Sequence, residues 1–327
     1  MNTRSQNPGP LVWALADSQA GNRSQCLGVA EALGLEFQVK NLTYNRLSAV
    51  PNFILGASLA GLSEESRSQL TAPWPDLVIG AGRRTAPVAR KIKRLGGEGC
   101  FLAQIMHPGA GAGDFGLIAR PRHDDADGGQ NVLPITGAPH MLTEARLKEE
   151  ASRWRGRLEG FSKPWIAVIV GGSTRRRRFT AAMAEELGAR VSKMALSSGG
   201  SLLVTTSRRT GEACESLQDA INAPNRFFRW GEGGEDDNPY YGYLALADAV
   251  VVTGDSVSMC SEACAGTRPV YIFAPPGLTV PKHARLHDAL YSKGIARPLA
   301  DLLEDWSHPP LNPAGDIARA IRDRLGL

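Results

Sequence analysis

The chain is 327 residues long, a length that suits two ordinary globular domains better than one. Hydrophobic residues at 43% and charged residues at 21% exclude disordered, fibrous and low-complexity classes. A formal net charge of +4 is too small for a dedicated nucleic-acid binder, so no nucleic-acid partner is expected.

Met1 to Pro10 is polar and holds no apolar signal core, and no later stretch reaches the roughly 20 apolar residues of a membrane span. A cytoplasmic protein is expected on that basis. Cys26, Cys100, Cys214, Cys260 and Cys264 have no Cys-x-x-Cys spacing and read as small core residues.

Short apolar runs then alternate with longer amphipathic ones, the pattern of parallel strands joined by crossover helices. Strands are predicted at Leu11–Ala16, Phe37–Val39, Leu77–Gly80, Cys100–Met106, Phe115–Ala119 and Val132–Ile135, with helices at Ser24–Leu33 and Thr85–Leu95. A polar helical stretch, Leu142–Leu158, leads to Phe161-Ser162-Lys163-Pro164, where the pattern starts afresh. Strands at Trp165–Val170, Ser201–Thr206, Arg226–Trp230, Ala249–Thr253 and Val270–Phe273 follow, with helices at Thr180–Val191, Gly211–Ile221, Ser258–Ala265 and His283–Lys293. The expectation is an α/β protein of two Rossmann-like domains, residues 1–160 and 161–327, whose parallel sheets face a central cleft. The amphipathic segment Pro313–Leu327 is free to pack back on the first domain.

Ligands of open parallel sheets bind beyond the carboxyl ends of the strands, so unusual loops there carry the functional signal. Gly171-Gly172-Ser173 lets backbone approach a ligand closely and offers amides to phosphate oxygens, although glycine turns between strand and helix are common. It lacks the spacing of the dinucleotide fingerprint and of the P-loop. Thr253 to Ala263 is more informative: a hydrophobic strand stops in Gly254, Asp255, Ser256 and Ser258, with Glu262 one turn into a helix, placed to accept bonds from ribose hydroxyls. The competing reading is a Ser-capped helix completed by Glu262 as a capping box. Arg83, Arg84, Arg175 to Arg178, Arg208 and Arg209 stand at strand ends, where guanidinium groups suit phosphate, or else form a solvated face. Asp17 ends the first strand as a candidate general base or a simple turn residue.

His107, His123 and His140 are further base candidates; Asp124 and Asp125 follow His123, but neighbours on an extended chain point apart and make no catalytic pair. His283 and His287 share a helical face without an evident carboxylate, so no metal site is assigned. Trp230 borders an acidic, glycine-rich loop, Gly231 to Asp237, and reads as core, with base stacking as the alternative. Asn238-Pro239-Tyr240-Tyr241 closes that loop.

These segments together, from Asp17–Gln25 and Ala81-Gly82-Arg83-Arg84-Thr85 through Pro121-Arg122-His123-Asp124, Gly171-Gly172-Ser173, Ser207-Arg208-Arg209-Thr210 and Asn238-Pro239-Tyr240 to Thr253–Met259, resemble the elongated-mitochondria family, named after a plant mitochondrial-fission factor, along nearly the whole chain. More distantly, the second half is similar to the donor domain of GT-B glycosyltransferases such as the lipid-linked N-acetylglucosaminyltransferase of peptidoglycan synthesis. The resemblance implies that Gly171, Gly172, Ser173, Ser256, Ser258 and Glu262 hold a nucleotide sugar, with a UDP-sugar as the first guess and no obligatory cofactor. Arg208, Arg209 and Asp255 join that binding set. The Gly-Gly-His stretch of that enzyme is absent, and Asp17 stands in a similar place. A glycosyltransferase is the favoured expectation, with an acceptor that includes lipid-linked glycans among its candidates and a peripheral contact at the inner membrane face as an option. A non-catalytic recruitment scaffold and a nucleotide-sugar 2-epimerase are the alternatives.

Overall fold

A computed structural model describes residues 9–124, 128–234 and 237–327. Asp125 and the centre of the acidic loop at 235 and 236 fall outside them. The chain forms two compact units, the first running to Met141 and completed by Asn312–Leu327, the second spanning Leu142–Leu311.

The first unit is built on six parallel strands: β1 (Val12–Asp17), β2 (Phe37–Leu42), β3 (Leu77–Ala81), β4 (Phe101–Ile105), β5 (Leu117–Pro121) and β6 (Val132–Ile135), in the order β2-β1-β3-β4-β5-β6. Strands β1 and β3 are fully buried along their length, as expected when helices cover both faces of a parallel sheet. Helix α1 (Ala20–Leu33) ends on Gly34 in the left-handed region, and Gly28 within it lies so near the His140 carbonyl that a Cβ would approach to 2.6 Å. Two short helices, α2 (Asn52–Leu55) and α3 (Glu64–Ser68), precede β3, and α4 (Thr85–Gly96) follows it.

The second unit holds β7 (Trp165–Val170), β8 (Ser201–Thr206), β9 (Asn225–Phe228), β10 (Ala249–Thr253), β11 (Val270–Phe273) and the two-residue β12 (Arg297–Pro298), all parallel, in the order β12-β11-β10-β7-β8-β9. The sequence Trp-Ile-Ala-Val-Ile-Val of β7 is buried throughout and divides between two core clusters, one on each face. The helices are α5 (Glu144–Trp154), α6 (Ala181–Ser198), α7 (Ala213–Ala220), α8 (Tyr240–Leu246), α9 (Val257–Ala263) and α10 (Pro281–Ser292). Thr180 caps α6 by accepting the Met183 N–H, and Gly199 closes it in the left-handed region.

The division falls at 141/142 and not at 160/161. Trp154 and Leu158 are buried in the core formed by β7, α8 and β10, which draws the preceding helix into the second unit. The last helix, α11 (Pro313–Leu325), does return to the first: Ala314, Ile317, Ala318 and Ile321 join the core of α1 and β3, and Arg322 donates to the Leu33 carbonyl at 2.6 Å. All five cysteines are free and buried. No helix among the described residues is long and apolar enough to cross a membrane.

Candidate functional site

Each sheet changes winding direction at one place, between β1 and β3 in the first unit and between β7 and β10 in the second. Neighbouring crossovers there leave in opposite directions and open a crevice at the carboxyl ends of the strands. Both places hold a buried aspartate paired with an arginine.

In the second unit the β7 and β10 loops are locked together. Gly171 donates its N–H to Thr253 Oγ1 at 2.8 Å, and Gly172 donates to Asp255 Oδ2 at 3.0 Å. Arg209, from the loop after β8, donates to the same Oδ2 at 2.5 Å and to the Gly172 carbonyl at 3.1 Å. Ser207 and Thr210 donate their hydroxyls to the Gly171 carbonyl at 2.5 and 2.7 Å, and Ser173 N–H donates to the Arg209 carbonyl at 2.9 Å. The Asp255 side chain is wholly buried, and its Oδ1 is left without a hydrogen-bond partner. Gly172 has φ +136°, and a Cβ on it would come within 2.2 Å of the Arg209 carbonyl oxygen; on Gly171 it would meet Asp255 Oδ2 at 2.4 Å. The glycines are therefore required by the close approach of loop to carboxylate.

Ser256 caps α9, but its partner is the N–H of Met259, so Glu262 is one turn too far along to complete a capping box. Glu262 Oε2 instead accepts the Tyr240 hydroxyl at 2.5 Å. Burial pushes the Glu262 carboxyl up to about 7, against the lowering influence of the Tyr240 bond and the Arg146 charge. Tyr240 is held there by the turn of Asn238-Pro239, in which Asn238 Oδ1 accepts the Tyr240 N–H at 3.1 Å. Tyr240 and Arg146 are absent from the sequence-derived set; the Asn-Pro-Tyr loop was the available signal for the first, and nothing flags the second. Ser258 is partly exposed, and Arg208 and Arg175 to Arg178 are exposed. A cavity of about 440 Å³ opens beyond β11, lined by Phe273, Ala274, Pro275, His287, Asp288 and Tyr291 among others. His287 is packed against Gly254, and desolvation lowers it to about 4, so the ring is neutral.

In the first unit Asp17 is also wholly buried. It forms an ion pair with Arg84 and accepts the Gln19 N–H at 2.7 Å. The Arg84 guanidinium lies over the Tyr44 ring, 4.3 Å from its centre. Arg83 points elsewhere, donating to the carbonyls of Ser48 and Val50. His107 is exposed and accepts the Gly109 N–H at 3.0 Å, whereas His123 and His140 are buried. Trp230 departs from the expectation of burial, being 54% exposed beyond the short edge strand β9.

The model of the family described as mitochondrial fission ELM1 matches residues 20–325. The mitochondrial fission protein ELM1 of Arabidopsis thaliana is 30% identical over 298 residues, covering 83% of this chain and 69% of that protein. Protein RP120 of Rickettsia prowazekii is 28% identical over 354 aligned residues, covering 97% of this chain and 99% of that one. Among solved structures, the UDP-GlcNAc 2-epimerase of Methanocaldococcus jannaschii, in complex with UDP-GlcNAc and UDP, superposes with a TM-score of 0.54 at 11% identity, covering 97% of this chain and 100% of that one. That likeness is one of fold.

Proposed function

The chain belongs to the mitochondrial fission ELM1 family, and from that premise we propose that its second unit binds a nucleotide sugar for glycosyl transfer, with the diphosphate over the joined β7 and β10 loops. The observation that carries this reading is the Gly172–Asp255–Arg209 lock at the winding switch of the sheet, the place where open α/β sheets bind ligands. A buried carboxylate fixes both a glycine turn and a guanidinium in advance, so neither must be ordered when an anion arrives. Arg209 remains one-third exposed and supplies charge, while Ser256 and Ser258 supply hydroxyls. Glu262 serves the ribose, taking its hydroxyls in exchange for Tyr240. The cavity beyond β11 has the size of ordinary small-ligand pockets and takes the base. The UDP-GlcNAc named with the Methanocaldococcus structure makes UDP-sugars the first donors to test.

Asp17 is the proposed base toward an acceptor, but only in a state in which Arg84 releases part of its carboxylate. That pairing, together with the family's name, favours a second reading, a scaffold that keeps the fold and recruits a partner. Nucleotide-sugar binding, followed by product formation with candidate acceptors, separates the two. Glu262→Ala and Ser256→Ala abolish turnover under the first reading and leave partner recruitment intact under the second. A donor isomerised without any acceptor identifies an epimerase.

A further inference from the structure

Three large hydrophobic side chains stand out of one segment of the first unit, which includes the short helix α2: Phe53 is 74% exposed, Ile54 65% and Leu47 49%. Among the described residues the other exposed large hydrophobics are dispersed, so this is the one place there where several share a segment. The segment is firmly held. Arg83 donates to the carbonyls of Ser48 and Val50 at 2.7 and 2.8 Å and to Asn52 Oδ1 at 3.1 Å. Asn52 is buried and donates to the carbonyls of Arg83 and Pro108 at 2.9 and 2.6 Å, and Asn45 donates to those of Ala60 and Leu62, both at 2.8 Å. The segment thus turns the amides of Asn45 and Asn52 inward and leaves Leu47, Phe53 and Ile54 outside, the reverse of what core formation would select.

We propose that this knuckle is a membrane-contact element that inserts Phe53, Ile54 and Leu47 among the acyl chains of an anionic phospholipid surface. Two observations choose this occupant over a protein. The exposed apolar area is on the order of 300 Å², taking side-chain areas of about 150–250 Å², well below the roughly 800 Å² per partner of a stable protein interface. The charge is complementary to anionic headgroups: residues 37–63 contain no Asp or Glu, and exposed Arg46 stands next to Leu47. A few apolar side chains with one or two basic neighbours give reversible binding, not permanent anchoring. The proposal does not depend on the nucleotide-sugar reading.

The test uses the full chain. Phe53→Trp introduces a reporter at an exposed position, read as the difference from the parent protein with its six tryptophans. With vesicles of phosphatidylglycerol and phosphatidylcholine, the added emission should shift to the blue and be quenched by brominated acyl chains. The parent protein should float with those vesicles. Phe53→Ser/Ile54→Ser should lower partitioning about tenfold or more, and Arg46→Glu should weaken it on anionic vesicles only. An unchanged circular dichroism spectrum and melting temperature establish that each variant is folded. Absence of shift and quenching with every vesicle, flotation indifferent to the double substitution, or a blue shift that follows protein concentration without lipid would each overturn the proposal, the last in favour of a second copy of the chain.

Discussion

The Gly172 amide and the Asp255 carboxylate meet at 3.0 Å, joining the ends of two adjacent strands 83 residues apart in sequence. Because Asp255 also receives Arg209, it acts as the post from which the second unit's loop arrangement hangs. Asp255→Asn should destabilise the protein by about 2–3 kcal/mol, less than for a fully enclosed pair because Arg209 is one-third exposed. Chemical denaturation of the single and double variants with Arg209→Ala checks this: the two losses should be far from additive, and additive losses would mean that the pair does not act as a unit.

Gly172→Ala places a methyl group against the Arg209 carbonyl at a φ that L-residues rarely adopt. The expected result is a stability loss of about 1–3 kcal/mol together with loss of nucleotide-sugar binding. Gly211→Ala is the control: it has φ +56° but no atom within 4 Å of the added Cβ, so it should lose some stability and keep binding. Equal binding by both variants would remove the turn from the site.

Glu262 gives the molecule a pH signature. Its carboxyl titrates near 7 in the folded chain, against 4.5 for the ordinary group, so the folded state holds the proton more tightly than the unfolded state. The stability from this group is fully present below pH 4.5 and is lost as pH rises through about 7. Glu262→Gln should therefore raise the melting temperature at pH 8, by the equivalent of about 1–3 kcal/mol, and change little at pH 4. In the proposed site the ribose hydroxyls bond best to the ionised carboxylate. Nucleotide-sugar affinity should then increase between pH 6 and 8 in the parent protein and remain flat in the Gln variant, as measured by calorimetry.

Asp17→Asn removes the charge that balances Arg84, whose guanidinium lies over the Tyr44 ring. A stability loss of about 2–3 kcal/mol is expected, with nucleotide-sugar binding preserved because Asp17 lies in the other unit. Turnover should fall if Asp17 is the base. A variant that folds, binds donor and turns over normally would dismiss Asp17 from the chemistry.

Much of this organisation is legible in the sequence because β-strands buried on both faces are short, largely apolar runs: Trp165–Val170, Ser201–Thr206, Ala249–Thr253 and Val270–Phe273 have the limits that the sequence predicts. The two loops that meet were also readable, since only glycines and small polar residues fit such close backbone approach. Their locking was not, because the hydrogen bonds from Gly172 and Arg209 to Asp255 join residues distant in sequence, and only strand order brings them together. The same reason hid Tyr240 beside Glu262 and Arg84 beside Asp17. The domain limit was misplaced because Leu142–Leu158 is polar along most of its length, so the buried Trp154 and Leu158 that tie it to the second unit gave little signal. The two-residue β12 was missed because so short an edge strand has no periodicity to detect.

The central claim is nucleotide-sugar binding by the second unit, and calorimetric titration of the full chain with UDP-, GDP-, CMP- and ADP-sugars tests it most directly. Saturable binding of at least one of them is expected, lost in Gly172→Ala and weakened in Glu262→Ala and Ser256→Ala while Gly211→Ala retains it. No heat of binding with any of the four classes, or binding that none of these three substitutions affects, would contradict the assignment.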